Sequence, residues 1–188
     1  MSTAVRLSLA QYDRMIESGV FDEDPDRRIE LINGELREMN PIGLTHDETV
    51  TLLTDWTIAC NIHDRIRLRV QQSIGISLRK SAPQPDVVWV AKKSYKKSRP
   101  MGDDILLVIE VAESSLSFDR GEKAQLYAAA GLADYWIVNL VDCCIEVYRQ
   151  PELGTYRDVT KFSVGQEVRP VRFPDLTLTV ALLFSDES

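Results

Sequence analysis

Two acidic residues lie within or beside apolar stretches of the sequence, where a carboxylate is costly. Asp86 directly precedes the apolar run from Val87 to Val90, and Glu110 lies inside the apolar segment 105–112. A buried carboxylate is strongly unfavourable unless it is paired or binds a cation. Asp86 and Glu110 are therefore candidates for one shared binding site.

A lysine follows on the apolar face of the next predicted helix. The residues that share this face at helical spacing are Lys123, Leu126, Tyr127 and Ala130. A helix packed on its own preceding strand would direct Lys123 back toward Glu110, with Asp86 nearby if the two strands pair. Each residue alone has an ordinary structural explanation, because a lysine can bury its methylenes and extend its ammonium to water. The joint pattern is what favours a site.

Two carboxylates and a lysine at adjacent strand ends can support metal-assisted hydrolysis of a phosphodiester. Carboxylates bind Mg²⁺, a hard cation that takes few protein oxygens, and Mn²⁺ is an alternative. The metal polarises the phosphate and lowers the pKa of a bound water. The lysine orients that water or stabilises the negative charge that develops.

Other residues are weaker candidates for the same site. Glu35 follows a predicted turn and is either a third carboxylate or a solvated hairpin acid, whereas Glu30 is predicted to be a strand-surface acid. His46 faces inward near a possible phosphate position, although a core or capping histidine is the commoner case. Tyr127 is expected to pack beneath Lys123, with its hydroxyl available for a hydrogen bond. Trp136 is expected to fill the core.

The elements that would position these residues alternate between strands and helices. Asn33–Gly34 is a strong hairpin signal, Thr45 is a predicted helix cap, and Asp119 and Gly131 are the predicted ends of the helix that carries Lys123. The pattern predicts helices over 6–18, 45–62 and 119–131, and strands over 65–70, 73–80, 85–90, 105–112, 134–139 and 145–150, with short strands in the tail ending in LTLTVALLF. This order predicts an α/β or α+β fold on one mixed sheet.

Length, charge and cysteine content restrict the class of protein. The chain has 188 residues, enough for one domain over 1–188, and a net charge of −7. This charge argues against non-specific coating of nucleic acid, and the basic segment KKSYKKSR at 92–99 by itself is typical of a solvated loop. No apolar run approaches membrane-span length, and the first residues do not resemble a signal peptide. Three cysteines without paired spacing indicate neither disulfides nor zinc, so we expect a cytoplasmic protein.

Several segments together resemble the Uma2-type (DUF820) branch of the PD-(D/E)xK nuclease superfamily. The matching segments, in family order, are IELINGEL at 29–36, NPIGLTH at 40–46, PQPDVVWV at 83–90, LLVIEVAESS at 106–115 and FDRGEKAQLYAAAGLADYWIVN at 118–139. The resemblance implies a restriction-endonuclease-like core, with a mixed sheet flanked by helices and an added N-terminal β-hairpin. It also implies a metal-dependent DNA endonuclease and, by analogy with restriction enzymes, a homodimer.

The resemblance assigns roles to particular residues of this chain. Asp86 and Glu110 match the two metal-binding acids, and the backbone carbonyl of Val111 is a further metal ligand by analogy. The superfamily lysine two residues after the glutamate is replaced here by Ala112, and the lysine of this branch corresponds to Lys123. Glu113, Ser114 and Ser115 replace a common Ser-Pro-Ser, which affects the predicted loop shape only.

Two other functions stay open from the sequence. One is a catalytically silent fold that acts as a binding or assembly module, which the acidic net charge favours. The other is hydrolysis of a smaller phosphodiester. A DNA endonuclease needs a positive rim beside its acidic centre, and the sequence offers Arg65, Arg67, Arg69, Arg79 and Lys92–Lys97 for it.

Overall fold

The computed structural model describes residues 5–22, 27–76 and 80–185. The strands are β1 (Ile29–Ile32), β2 (Glu35–Glu38), β3 (Ile66–Val70), β4 (Val87–Ala91), β5 (Ile105–Ala112), β6 (Asp134–Asn139), β7 (Cys144–Glu152), β8 (Thr155–Ser163), β9 (Glu167–Val168) and β10 (Leu178–Thr179). The helices are α1 (Leu9–Glu17), α2 (Leu44–Ala59), α3 (Leu116–Phe118), α4 (Ala124–Ala129) and α5 (Ala181–Phe184). A π-helical turn, Asp119–Lys123, joins α3 to α4. We call the resulting continuous helix, 116–129, the crossover helix.

Strands β3 to β8 form one mixed sheet and lie side by side in chain order. β5 and β6 are parallel, and the other neighbouring strands are antiparallel. Parallel neighbours need a crossover connection, which the crossover helix supplies between β5 and β6. This helix therefore begins just beyond the end of β5 that carries Glu110. The predicted mixed sheet flanked by helices is confirmed.

The predicted N-terminal hairpin forms from β1 and β2, which pair antiparallel. Asn33 and Gly34 at its tip have φ values of 52° and 80°, as the tight turn that suits twisted strands requires. A Cβ on Gly34 would also lie 2.8 Å from Cβ of Arg6. Glycine is therefore needed both for the turn and for the close approach of the N-terminal segment.

Each face of the sheet has its own apolar cluster. On one face, Trp56 of α2 packs against Trp89 and Trp136 of the sheet, and the C-terminal segment covers the same cluster. The prediction that Trp136 fills the core is confirmed. The crossover helix covers the other face, where Val88 of β4 and Val108 of β5 are buried. Because side chains alternate along a strand, Asp86 and Glu110 project from this second face.

Helix starts differ from the sequence predictions. α1 begins at Leu9, where the Ser8 side chain and Gln11 form a capping box. α2 begins at Leu44 with Gly43 as its N-cap, so the prediction that Thr45 caps this helix is wrong. Thr45 lies within the first turn, and its carbonyl accepts a hydrogen bond from the Thr49 hydroxyl.

The tail and the segment after β3 also differ from expectation. The run LTLTVALLF divides between β10 and α5, so it is not one strand. The predicted strand over 73–80 lies partly outside the described residues; within them, Ile76 forms an isolated bridge with Ser81. All three cysteines are free thiols. In the part of the chain that the structure describes, no helix is both long and apolar enough to cross a membrane.

Candidate metal centre

A pocket of about 290 Å³ lies where β4 begins and β5 ends. Its lining includes four of the residues singled out from the sequence, Asp86, Glu110, Lys123 and His46, and one that was not, Glu30. The backbone segment 39–43, which connects β2 to α2, covers one side. The acidic strand ends therefore open into a space that a small ligand can enter.

Strand pairing fixes the position of Asp86 in this pocket. β4 and β5 are antiparallel with Val87 opposite Ile109, so Asp86 lies beside the end of β5. Its Oδ2 accepts a hydrogen bond of 2.9 Å from the Val111 amide and lies 3.3 Å from Nε2 of His46. Both contacts use Oδ2, which leaves Oδ1 for another ligand.

His46 is held against Asp86 by the first turn of α2. Burial lowers the pKa of His46, but the hydrogen bond to Asp86 and the negative charges of Asp86 and Asp47 together raise it by more, so the net shift is upward. Nδ1 of His46 is buried and has no hydrogen-bond partner. A donor or acceptor of this kind is unusual in a protein interior and is expected to meet a ligand or water.

Glu110 is buried at the end of β5 and is contacted from the crossover helix. The Tyr127 hydroxyl donates to Oε1 at 2.7 Å, and Nζ of Lys123 lies 3.0 Å from the same oxygen. Burial raises the pKa of Glu110 to about 8; Lys123 opposes the shift, and the carboxylates of Asp119 and Asp86 add to it. This carboxyl group therefore holds a proton more tightly than an ordinary glutamic acid does.

Lys123 is also buried, at 4% exposure. Burial lowers its pKa, but Glu110, Glu30, Asp119 and Asp86 together raise it by more, so the ammonium form is favoured. The pKa of Glu110 rises chiefly because its carboxyl group is buried, whereas the pKa of Lys123 rises because four carboxyl groups lie around its ammonium.

Asp119 is a site residue that the sequence interpretation missed. It was predicted to be the N-cap, but the helix begins three residues earlier, at Leu116, and Asp119 lies inside it at 1% exposure. Its Oδ1 is 3.5 Å from Nζ of Lys123. The spacing of Asp119, Lys123 and Tyr127, four residues apart on one helix face, is the signal that could have identified it.

The predicted C-terminal end of the crossover helix is correct, since Gly131 has φ 75° and follows the last helical turn.

Glu30 is the second residue missed, and of the two predictions made for Glu35 the structure agrees with the solvated hairpin acid. The prediction that Glu30 is a surface acid is wrong, because its side chain is buried and lines the pocket. Its Oε2 accepts a hydrogen bond from the backbone N–H of Gln84. Glu35 instead points outward and pairs with Arg6 and Arg37. Glu30 is flanked by Ile29 and Leu31, the same acid-in-apolar-run pattern that identified Glu110.

The donor set of the pocket is suited to a hard divalent cation. Carboxylate and carbonyl oxygens are the ligands that Mg²⁺ and Mn²⁺ use, and the pocket presents Asp86, Glu110 and the backbone of Val111 together. A cation would also offset the excess negative charge around Lys123. The residues present therefore fit a metal of this class.

The fold and the pocket define a restriction-endonuclease-like α/β protein. The crystal structure described as "a putative nuclease belonging to DUF820 from Anabaena variabilis ATCC 29413" superimposes with a TM-score of 0.70 and 14% identity, over 95% of this chain and 98% of that one. At this identity the likeness shows a shared fold. The model of the Uma2 family, described as "Putative restriction endonuclease", matches residues 9–181. The chain belongs to the Uma2 family. No curated protein matches it.

Proposed function

We propose that this protein is a Mg²⁺-dependent endonuclease that hydrolyses phosphodiester bonds of DNA. The observation that carries the proposal is the buried group of four carboxyls, Glu30, Asp86, Glu110 and Asp119, around the single ammonium of Lys123 beside an open pocket. The Uma2 family description and the shared fold support the reaction class.

The metal would be held by Asp86, Glu110 and the carbonyl of Val111, with Mn²⁺ as an alternative to Mg²⁺. A bound divalent cation of this kind polarises a phosphate oxygen and lowers the pKa of a bound water. Before a cation binds, Oε1 of Glu110 already accepts a hydrogen bond from Tyr127 and lies 3.0 Å from Nζ of Lys123, so Oε2 is the oxygen first open to an incoming cation. Asp86 is fixed through Oδ2, so Oδ1 is its oxygen open to the cation.

Lys123 and His46 are two side chains of the pocket that would act on the reacting groups. The ammonium of Lys123, kept protonated by its acidic surroundings, orients the attacking water and stabilises charge that develops on the phosphate. His46 orients Asp86 through Nε2 and presents its unpartnered Nδ1 as a contact for a phosphate or water.

Basic segments near the pocket support DNA as the substrate, and Arg67 and Arg69 of β3 project from the same face of the sheet as Asp86. Segments 65–69 and 92–99 contain eight lysines and arginines and no acid, in a chain of net charge −7. Only Arg65, Lys93 and Arg99 of these have a carboxylate within 4.0 Å among the described residues. The unpaired basic side chains are suited to a phosphate backbone.

Strand pairing connects these basic segments to the pocket. Arg69 of β3 lies opposite Val88 of β4, so it is a diagonal neighbour of Asp86, with backbones about 8 Å apart. The loop after β4 folds over the same face, since Tyr95 packs on the apolar cluster there and lies 5.9 Å from the Arg69 guanidinium. A duplex on this surface would lie beside the acidic centre. Arg79, also considered for this rim, lies outside the described residues.

The first experiment measures cleavage of supercoiled plasmid DNA with Mg²⁺ or Mn²⁺. We expect nicked and linear products from the parent chain, none with chelator, and none from Glu110→Gln or Lys123→Ala. Cleavage that persists in Lys123→Ala would remove that residue's role. Hydrolysis of a small phosphodiester without plasmid cleavage would favour the smaller substrate.

The second experiment measures duplex binding, with Glu110→Gln as the parent so that cleavage does not interfere. The double variant Lys96→Ala/Lys97→Ala should bind more weakly, and the slope of log affinity against log salt concentration should fall by about 2. The control is Arg157→Ala/Arg172→Ala, which removes the same charge from exposed positions elsewhere. Equal losses in both variants would show only a net-charge effect.

The alternative function is a catalytically silent binding or assembly module. Duplex binding that needs no metal, together with absence of cleavage at every metal concentration, would support it. Restriction-like nucleases commonly act as dimers to cut two strands, and we expect a homodimer on that analogy. Light scattering coupled to size-exclusion chromatography tests this expectation.

A further inference from the structure

The ammonium of Lys123 lies between two carboxylates. Nζ is 3.0 Å from Oε1 of Glu110 and 3.5 Å from Oδ1 of Asp119. All three side chains are at most 4% exposed. Lys123 therefore occupies a position next to the carboxylate that a metal would use, with a second acid already in reach.

Asp119 is held so that one of its oxygens stays available to the lysine. The Ser115 hydroxyl donates to Oδ2 at 2.6 Å, whereas the buried Oδ1 has no hydrogen-bond partner among the described residues and has only the longer contact to Nζ of Lys123. The π-helical turn Asp119–Lys123 carries both residues, and the Tyr135 hydroxyl donates to the Asp119 carbonyl. π-helical turns inside α-helices are frequent at functional sites.

A metal at Glu110 would compete with the ammonium of Lys123. Two cations close to the same carboxylate repel each other, and a buried ammonium left without a partner is strongly destabilising. The lysine can yield Glu110 only if another acid accepts it. Asp119 is one turn away on the same helix, and closing its 3.5 Å contact to about 2.8 Å would form a charge-assisted hydrogen bond.

We propose that Asp119 is a positioning residue that takes over Lys123 when Glu110 binds the metal, without itself contacting the metal. The proposal rests on the proposed function for the metal at Glu110. It implies that Asp119 keeps the ammonium in place for the reaction while freeing Glu110.

A double-mutant cycle on Mn²⁺ affinity, measured by calorimetry, tests this role without any measurement of activity. Asp119→Asn should weaken Mn²⁺ binding by about tenfold, within the range for coupled neighbours, because Lys123 then stays on Glu110. In the Lys123→Met background, where no ammonium competes, the same Asp119→Asn change should leave the affinity within about twofold.

Each other outcome decides against the proposal. Equal weakening by Asp119→Asn in both backgrounds would make Asp119 a metal ligand, and no weakening in either would leave it without a role. Absence of Mn²⁺ binding by the parent chain would overturn the proposed function as well, whereas binding without coupling overturns only the positioning role.

A second variant covers the case in which Asp119→Asn does not fold. Ser115→Ala keeps every charge and removes only the hydrogen bond that fixes Oδ2 of Asp119. It should weaken Mn²⁺ binding by about two- to threefold with Lys123 present and not in the Lys123→Met background. Circular dichroism establishes that each variant is folded before titration. An unchanged affinity in this folded variant would contradict the role of Asp119.

Discussion

Two acidic clusters contact the crossover helix, one of buried acids and one that joins the buried Glu146 to the exposed Asp142, and they differ in how their charge is balanced. In the metal-centre pocket, four carboxyl groups lie around Lys123, and Arg37 and His46 line the pocket further out. In the second cluster, Asp142 and Glu146 face two cations: Arg120 pairs with both acids, and Lys161 lies 3.5 Å from Asp142. The numbers of acids and cations are equal there.

The pKa shifts of the two clusters follow this balance. Burial raises the pKa of Glu110 to about 8. Burial also raises the pKa of Glu146, but hydrogen bonds from Arg120, Asn139 and Tyr148 lower it by more, so the net shift is downward. Ligand atoms of Asp142, Cys144 and Glu146 lie within 4.8 Å of one another, yet these acids already have partners. An acidic cluster thus indicates a cation site only where its charge is uncompensated.

The largest expected difference between the clusters is in metal affinity. Glu110→Gln and Asp86→Asn should each weaken Mg²⁺ or Mn²⁺ binding by more than about 100-fold, because each removes a charged ligand. Glu146→Gln, the matched change in the compensated cluster, should leave the affinity unchanged. Calorimetric titration of the three variants with Mg²⁺ or Mn²⁺ measures these affinities. Loss of metal binding in Glu146→Gln would show that the metal binds in the cluster of Asp142 and Glu146, which contradicts the prediction.

The second prediction concerns stability without metal. Here the larger effect is expected from Glu146→Gln and the smaller one from Glu110→Gln. Glu146→Gln should lower the free energy of unfolding by about 2 kcal/mol, since the buried Glu146 carboxylate accepts hydrogen bonds from Asn139 and Tyr148 that the amide cannot all replace. Glu110→Gln should be neutral or stabilising, because it relieves an excess of negative charge. Urea denaturation with chelator present checks this. A large loss of stability in Glu110→Gln would show that Glu110 is structural.

The third prediction is a pair of opposite pH dependences. The folded-state pKa of Glu110, about 8, exceeds its ordinary value of 4.5, so its stabilising contribution is complete below pH 4.5 and is lost as the pH rises to 8. The slope is at most roughly 1.4 kcal/mol per pH unit. The lowered pKa of Glu146 acts in the other sense, and its contribution is lost as the pH falls below 4.5.

Denaturation of the metal-free protein between pH 4 and 9 measures these two slopes. Glu110→Gln should flatten the upper range, and Glu146→Gln the lower range. An upper range that stays as steep in Glu110→Gln as in the parent would assign the titration to another group.

The smallest expected effect sharpens the contrast between the two hairpin acids. Glu35→Gln should change stability by under about 0.5 kcal/mol, because its ion pairs with Arg6 and Arg37 are exposed, and it should leave metal affinity unchanged. Glu30→Gln removes charge from the pocket and should weaken metal binding several-fold. Calorimetry on both variants compares them directly. A reversed order would restore Glu35 as the third carboxylate.

Much of the fold was predictable because local patterns and tertiary packing agree. The Asn33–Gly34 turn, the buried segments 105–112 and 134–139, and the glycine after the crossover helix all appear where the sequence predicts them. Predictions failed where a local signal had competing solutions. Asp119 and Thr45 both have the chemistry of a helix cap, but each helix begins earlier and includes them.

The sequence by itself determined that Asp86, Glu110 and Lys123 belong together, because an acid in an apolar strand and a lysine on an apolar helix face are costly unless they meet. Only the tertiary structure decided which further acids join them. Burial of β1 turned Glu30 inward, whereas β2 is exposed and leaves Glu35 in solvent. The early start of the crossover helix turned Asp119 toward Lys123. Those choices depend on how separate elements pack, and no local pattern carries that information.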